Sequence, residues 1–101
     1  MNASAFYDVL VVGGGASGLA AAITAARIGK SVCVIERDVA CGLKLLATGN
    51  GRCNLSNESI DVQRYNHTTF VGSIMGPQPE QDLETFFSSL GIMTIREDGR
   101  L

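Results

Sequence analysis

At 101 residues the chain has room for one small domain, fewer βαβ units than a doubly wound nucleotide-binding domain uses, so the length predicts a fragment. Hydrophobic residues make up 46%, charged residues 18%, and only two are proline, which excludes a disordered chain and fits a globular one. Eight Lys and Arg against ten Asp and Glu leave a net charge of −2, too little basic surface for nucleic acid, so the expected partner is a small molecule and any bound phosphate must be held locally.

Residues 7–12 read as a buried parallel strand, apolar and ended abruptly by glycine. The alanine-rich segment from Ala16 or Ser17 to Ile28 has strong helix propensity, and Gly29 stands where a helix C′ residue belongs. Residues 31–36 read as a second buried strand, completing a βαβ unit over 7–36 with Glu36 at its carboxyl end. Residues 38–57 form a glycine-spaced functional loop around a short helix at 44–47. Residues 57–76 are polar and weakly patterned, a connector with only local order. Pro79 or Glu80 opens an amphipathic helix in which Leu83, Phe86, Phe87 and Leu90 share a face, and Gly91 ends it. Residues 92–96 read as a strand and Asp98-Gly99 as a hairpin turn, with only Arg100 and Leu101 left to return.

Residues 9–26 carry no formal charge over eighteen positions, the length of a membrane span, but four glycines and the missing basic n-region favour a chain that does not enter a membrane. Cys33, Cys41 and Cys53 are an odd number without a C-x-x-C pair, which disfavours disulfides and a zinc site and fits a reducing cytoplasm. Cys33 reads as core, Cys41 as a small loop residue, and Cys53 as a packing residue rather than a redox thiol. His67 has no acid or nucleophile at motif spacing and reads as exposed.

The chemistry concentrates at Gly13-Gly14-Gly15-Ala16-Ser17-Gly18, which has the G-x-G-x-x-G spacing between a strand and a helix. Gly13 permits the tight turn, Gly15 lets the backbone approach a pyrophosphate, and Gly18 allows close contact between helix and strand. The amides around Ala16 and Ser17 become donors at the positive end of the helix dipole, so an anion needs no basic side chain. Glu36 lies eighteen residues beyond Gly18 and can accept hydrogen bonds from ribose hydroxyls. A carboxylate there repels a 2′-phosphate, which favours FAD or NAD over NADP. Arg37 either lies over the adenine or faces water, and Lys44 either faces the cofactor or solvent. Arg52, between Gly51 and Cys53, either binds a phosphate or carboxylate bidentately or is a surface arginine in a polar turn.

The stretch Gly42-Leu43-Lys44-Leu45-Leu46-Ala47-Thr48-Gly49-Asn50-Gly51-Arg52-Cys53-Asn54-Leu55-Ser56-Asn57 resembles the bacterial HI0933-like flavoproteins, which carry a similar G-R-K-[LIV]-x-x-[ST]-G-x-G-R-C-N-x-[ST]-N motif after an FAD-type fingerprint. A later turn like Glu97-Asp98-Gly99-Arg100-Leu101 also recurs there, and Leu43 departs from the family's usual arginine. The resemblance implies an α/β fold: a Rossmann-like FAD-binding βαβ unit of a two-dinucleotide-binding-domain flavoprotein, incomplete at the C-terminus. On this reading residues 1–101 are the N-terminal part of the FAD-binding domain, and the first unit holds the ADP half of FAD. The loop carrying Gly49, Gly51, Arg52, Cys53 and Asn54 then reaches the flavin side. Names in the family include NAD(P)/FAD-dependent oxidoreductase, aminoacetone oxidase and a reductase of conjugated 3-oxo bile acids.

The expected function is hydride transfer between NAD(P)H, a candidate electron donor, and an unsaturated small-molecule substrate by way of FAD. An amine-type flavin oxidase and a non-catalytic nucleotide-binding fragment are the alternatives. No catalytic residue and no metal ligand is assigned, and the oligomeric state stays open.

Overall fold

A computed structural model describes residues 5–47, 53, 55–97 and 99–101 of the chain. It divides into two compact units, Met1–Cys53 and Asn54–Leu101.

The first unit is a right-sized βαβ element. Strand β1 (Val9–Val12) leads through the glycine turn to helix α1 (Ala16–Arg27) and then to strand β2 (Val32–Ile35). The strands pair in parallel, with Val9 opposite Val32 and Val12 opposite Ile35, and α1 packs against both. A reciprocal tie starts the pair: the Asp8 N–H donates to Ser31 Oγ at 2.9 Å, and the Ser31 N–H donates to Asp8 Oδ2 at 2.9 Å. The tie closes the two open strand ends with side chains where the ladder stops. At the other end the Gly13 N–H donates to the Ile35 carbonyl at 2.8 Å, extending the ladder into the turn. The uncharged run at 9–26 is thus split between a strand and a twelve-residue helix, and among the described residues no helix is long and apolar enough to cross a membrane.

The strands were expected to be buried, and they are not. Leu10 is 59% exposed and Val12 83%, and among the described residues Gly14 alone is buried. Two strands and one helix leave much of the sheet without a covering layer, whatever the hydrophobicity of its sequence. Cys33, read as core, is only half-buried for the same reason. Helix α2 (Leu43–Ala47) begins one residue before the expected short helix.

The second unit corrects the reading of residues 57–76. That segment contains a 3₁₀ turn (Val62–Arg64), capped by the Asp61 carboxylate accepting from the Gln63 N–H at 2.9 Å, and helix α3 (Thr68–Met75). Two threonines, Val71, Gly72 and Ile74 lower the helix propensity of α3, which hid it. Its apolar residues Phe70, Val71, Ile74 and Met75 nonetheless lie at helical spacing. Helix α4 (Pro79–Ser89) begins at the expected proline, and Leu83, Phe86, Phe87 and Leu90 are its half-buried residues together with Glu80, Glu84 and Pro79.

Residues 92–96 do not form the expected strand. The turn that follows does close, with the Glu97 N–H donating to the Arg100 carbonyl at 2.8 Å and the Arg100 N–H to the Glu97 carbonyl at 2.9 Å. Asp98 lies outside the described residues. The returning chain pairs instead with residues 55–58, where the Leu101 N–H donates to Ser56 O at 2.9 Å and the Glu58 N–H to Gly99 O at 2.8 Å. A strand needs a partner ladder, and the partner nearest Arg100 and Leu101 comes from earlier in the chain.

Candidate functional site

The carboxyl ends of β1 and β2 open onto a cleft of about 430 Å³. Gly13, Gly14, Gly15, Glu36, Arg37, Asp38, Leu43 and Lys44 line it, with Val12, Ile35, Ala40 and Gly42 as the remaining wall. The ends of parallel strands are where open α/β sheets bind ligands, because loops diverge there and helix amides point outward.

Each glycine of the turn meets a different constraint. Gly13 has φ of +100°, a conformation that costs an L side chain energy. At Gly18 an added Cβ would lie 1.8 Å from the Gly13 carbonyl oxygen, so helix and turn touch through backbone. At Gly15 an added Cβ would meet nothing within 4 Å, and the residue faces the open cleft. Gly15 is also the N-cap of α1 and has no side chain to bond the first-turn amides, whose ladder begins with the Leu19 N–H donating to Gly15 O at 2.9 Å. Ala16 and Ser17 are exposed in that first turn, where the dipole is positive and no acid opposes it.

Gly14, one of the unassigned positions of the spacing, is the best-held residue of the site. Its N–H donates to Glu36 Oε1 at 2.8 Å and its carbonyl accepts from the Gly42 N–H at 2.8 Å. The other oxygen of Glu36, Oε2, accepts from the Asp38 N–H at 2.9 Å. These amides, Asp38 first and Gly14 next, hold the Glu36 carboxyl below the usual glutamate range, aided by its own neighbour Arg37 and opposed by partial desolvation. A carboxylate offers about four lone-pair sites. The Asp38 and Gly14 N–H groups occupy two of them and the Arg37 N–H acts more weakly on the same carboxylate, which fixes the group at the cleft and leaves capacity for a hydroxyl donor.

The structure therefore brings Gly13, Gly15, Glu36, Arg37 and Lys44 to one cleft, with Ala16, Ser17 and Gly18 at the adjoining helix start. Gly49, Gly51, Arg52 and Asn54 lie outside the described residues. Cys53 is half-buried with φ of +56°, one of two non-glycine residues at positive φ among those described. That backbone state costs roughly 1 kcal/mol and is common at ligand-facing turns. The other is His67, which precedes α3 and is exposed, as the sequence suggested. Sequence reasoning missed Gly14 and its neighbours Cys41 and Gly42, because their fit depends on where the loop after β2 returns. Among the described residues no group of His, Cys, Asp and Glu could hold a metal ion.

The sequence pattern of the HI0933-like protein Rossmann domain matches residues 7–101. The chain is 41% identical over 93 residues to the 3-dehydro-bile acid delta(4,6)-reductase of Clostridium scindens, covering 88% of this chain and 23% of that protein. It is 31% identical over 91 residues to the ribosomal RNA dihydrouridine synthase of Haemophilus influenzae, again covering 88% of this chain and 23% of the relative. A shorter match, 53% identical over 36 residues, links it to the digeranylgeranylglycerophospholipid reductase of Methanoculleus marisnigri, covering 36% of this chain and 9% of the relative. The chain thus spans about a quarter of the length of the first two relatives. With the βαβ unit, the glycine turn and a match running almost from end to end, the chain belongs to the HI0933-like family and is of its Rossmann domain.

Proposed function

We propose that these residues hold the ADP half of FAD in a flavin-dependent reductase acting on a small molecule with a carbon–carbon double bond conjugated to a carbonyl. The observation that carries the reading is the cleft itself, in which the open side of Gly15 and the anchored carboxylate of Glu36 face one space. The residues present fit the cofactor: a Cβ-free approach at Gly15, first-turn amides for a pyrophosphate, and a carboxylate for ribose hydroxyls. FAD, when bound, supplies the hydride chemistry.

Gly15, Ala16 and Ser17 donate to the pyrophosphate without a cationic side chain. Glu36 accepts from the ribose with the lone pairs that Gly14 and Asp38 leave, and its charge disfavours a 2′-phosphate. Arg37 and Lys44 flank the same cleft and balance the phosphate charge. Gly49, Gly51, Arg52, Cys53 and Asn54 extend the site toward the flavin. NAD(P)H is the proposed electron donor and the cytoplasm the proposed compartment.

The substrate class rests on chemistry common to the relatives' names. Reduction of a 3-oxo bile acid at its delta(4,6) bonds and formation of dihydrouridine both saturate a carbon–carbon bond conjugated to a carbonyl. The higher identity to the bile-acid enzyme and the net charge of −2 favour a small molecule over ribosomal RNA.

The test is made on the full-length gene product. Purified protein should carry FAD, NAD(P)H should bleach it without oxygen, and a 3-oxo-4,6-diene steroid should restore the oxidised spectrum. Restoration by unmodified ribosomal RNA instead would move the substrate to a nucleobase. Bleaching by an amine rather than NAD(P)H would identify an oxidase. A protein that neither retains nor binds FAD would overturn the reading and leave a non-catalytic module.

A further inference from the structure

The geometry points to Gly14 and Cys41 as a steric gauge that sets the spacing between the glycine turn and the opposite wall of the cleft, Cys41 acting as a positioning residue. The backbone of Gly14 does not demand glycine, since its φ lies outside the left-handed region. What demands it is a neighbour. An added Cβ at Gly14 would lie 2.4 Å from Cys41 Sγ and 3.0 Å from Cys41 Cβ, well inside van der Waals contact. The same residue is gripped from two further directions, by Glu36 at its N–H and by the Gly42 N–H at its carbonyl, each at 2.8 Å.

The loop at 37–42 is therefore pinned to the turn on both sides of Cys41, by Glu36 before it and Gly42 after it. Arg37, Asp38, Ala40 and Gly42 of that loop are the cleft wall facing residues 13–15. A methyl group at position 14 must push the Cys41 side chain, and the two hydrogen bonds transmit the push to the wall. The cleft's width then depends on the summed bulk at positions 14 and 41, although Cys41 itself is not part of the cleft lining. Removing the side chain at 41 should make room for one at 14. Some compression remains, because Glu36 Oε1 would still lie 3.3 Å from the new Cβ.

The ligand part of this inference rests on the FAD reading above, and the steric part does not. Four versions of the full-length gene product test it: wild type, G14A, C41G and the double variant G14A/C41G. Thermal unfolding establishes each folded fraction, and FAD affinity is then titrated by fluorescence on folded, flavin-free protein, with ADP as the probe for the half-site. G14A should weaken FAD and ADP by about tenfold. The double variant should recover at least half of that loss on a logarithmic scale, an interaction that independent sites do not show. Strictly additive effects would overturn the gauge. Should G14A fail to fold, a folded double variant supports the gauge and an unfolded one overturns it. If wild type binds neither FAD nor ADP, the cofactor reading fails, while the unfolding midpoints of the same four proteins still decide the steric coupling.

Discussion

Both compact units contain backbone pairing and side-chain hydrogen bonds, but their tightest approaches differ. In the first, the close approaches involve backbone: α1 against the Gly13 carbonyl, the Gly13 N–H on Ile35, and Gly14 between Glu36 and Gly42. In the second, residues 55–58 and 99–101 pair through backbone, while side chains link its other segments: Arg96 to Glu58 and Glu84, and Glu80 Oε1 accepting the Ile60 N–H at 2.9 Å. Backbone cannot swing aside as a side chain can, so the first unit should respond steeply to a single methyl group and the second more gradually.

Gly18→Ala gives the sharpest break. Helix propensity alone favours alanine over glycine by up to about 1 kcal/mol. A Cβ 1.8 Å from a carbonyl oxygen reverses that sign, because turn and helix must separate. The net loss should reach about 3 kcal/mol, at the upper end for overpacking. Urea unfolding measures it, and a variant as stable as wild type would contradict the contact. In the second unit, Phe87→Ala should cost about 2 kcal/mol, below the range for a fully buried phenylalanine because Phe87 is only half-buried.

Glu36→Gln sharpens the comparison from the ligand side. The Gly14 and Asp38 N–H groups meet different oxygens of Glu36, and a carboxamide puts an NH2 donor in place of one of them, so one of the two amides faces a donor instead of an acceptor. FAD affinity should fall by at least about tenfold, the equivalent of one hydrogen bond to a charged group. The pH dependence follows from the same bonds. Since the folded carboxyl titrates below the usual glutamate range, its contribution is fully present above the ordinary value of about 4.3 and is lost as pH falls through the depressed value. FAD retention in wild type should hold from neutral pH down to the ordinary glutamate value and decline only below it, and the Gln variant should lack that component of the decline. Identical acid profiles would remove Glu36 from the cause.

The same contrast explains what was legible in the sequence. Gly13, Gly15, Gly18 and Glu36 could be located because backbone needs glycine at fixed offsets within one βαβ unit, and an acid at the end of the second strand follows from its length. Gly14 was passed over because its constraint comes from Cys41, whose position depends on a loop with no periodic signal. Helix α4 announced itself through its apolar spacing, whereas α3 was concealed by β-branched residues and glycine. The expected strand at 92–96 failed because composition shows that a segment can pair and not whether a partner exists. The strands' exposure failed similarly, since hydrophobicity predicts a buried face only where another layer covers it.

Arg96→Ala should have the smallest effect, although it removes the most conspicuous side-chain junction of the second unit. Arg96 Nε lies 3.2 Å from Glu58 Oε1, and a second guanidinium nitrogen meets Glu84. The three side chains are 55%, 48% and 38% exposed, so water already solvates much of each charge and salt screens the remainder. The loss should stay below about 1 kcal/mol and shrink further in high salt. A lysine at 96 keeps the charge but lacks the planar fork that lets one side chain meet two carboxylates, so it should recover only part of the difference. Urea unfolding at low and high salt decides the matter: if Arg96→Ala costs as much as Phe87→Ala and salt does not reduce the loss, the junction is a rigid element like the glycine turn, and the distinction between the two units falls.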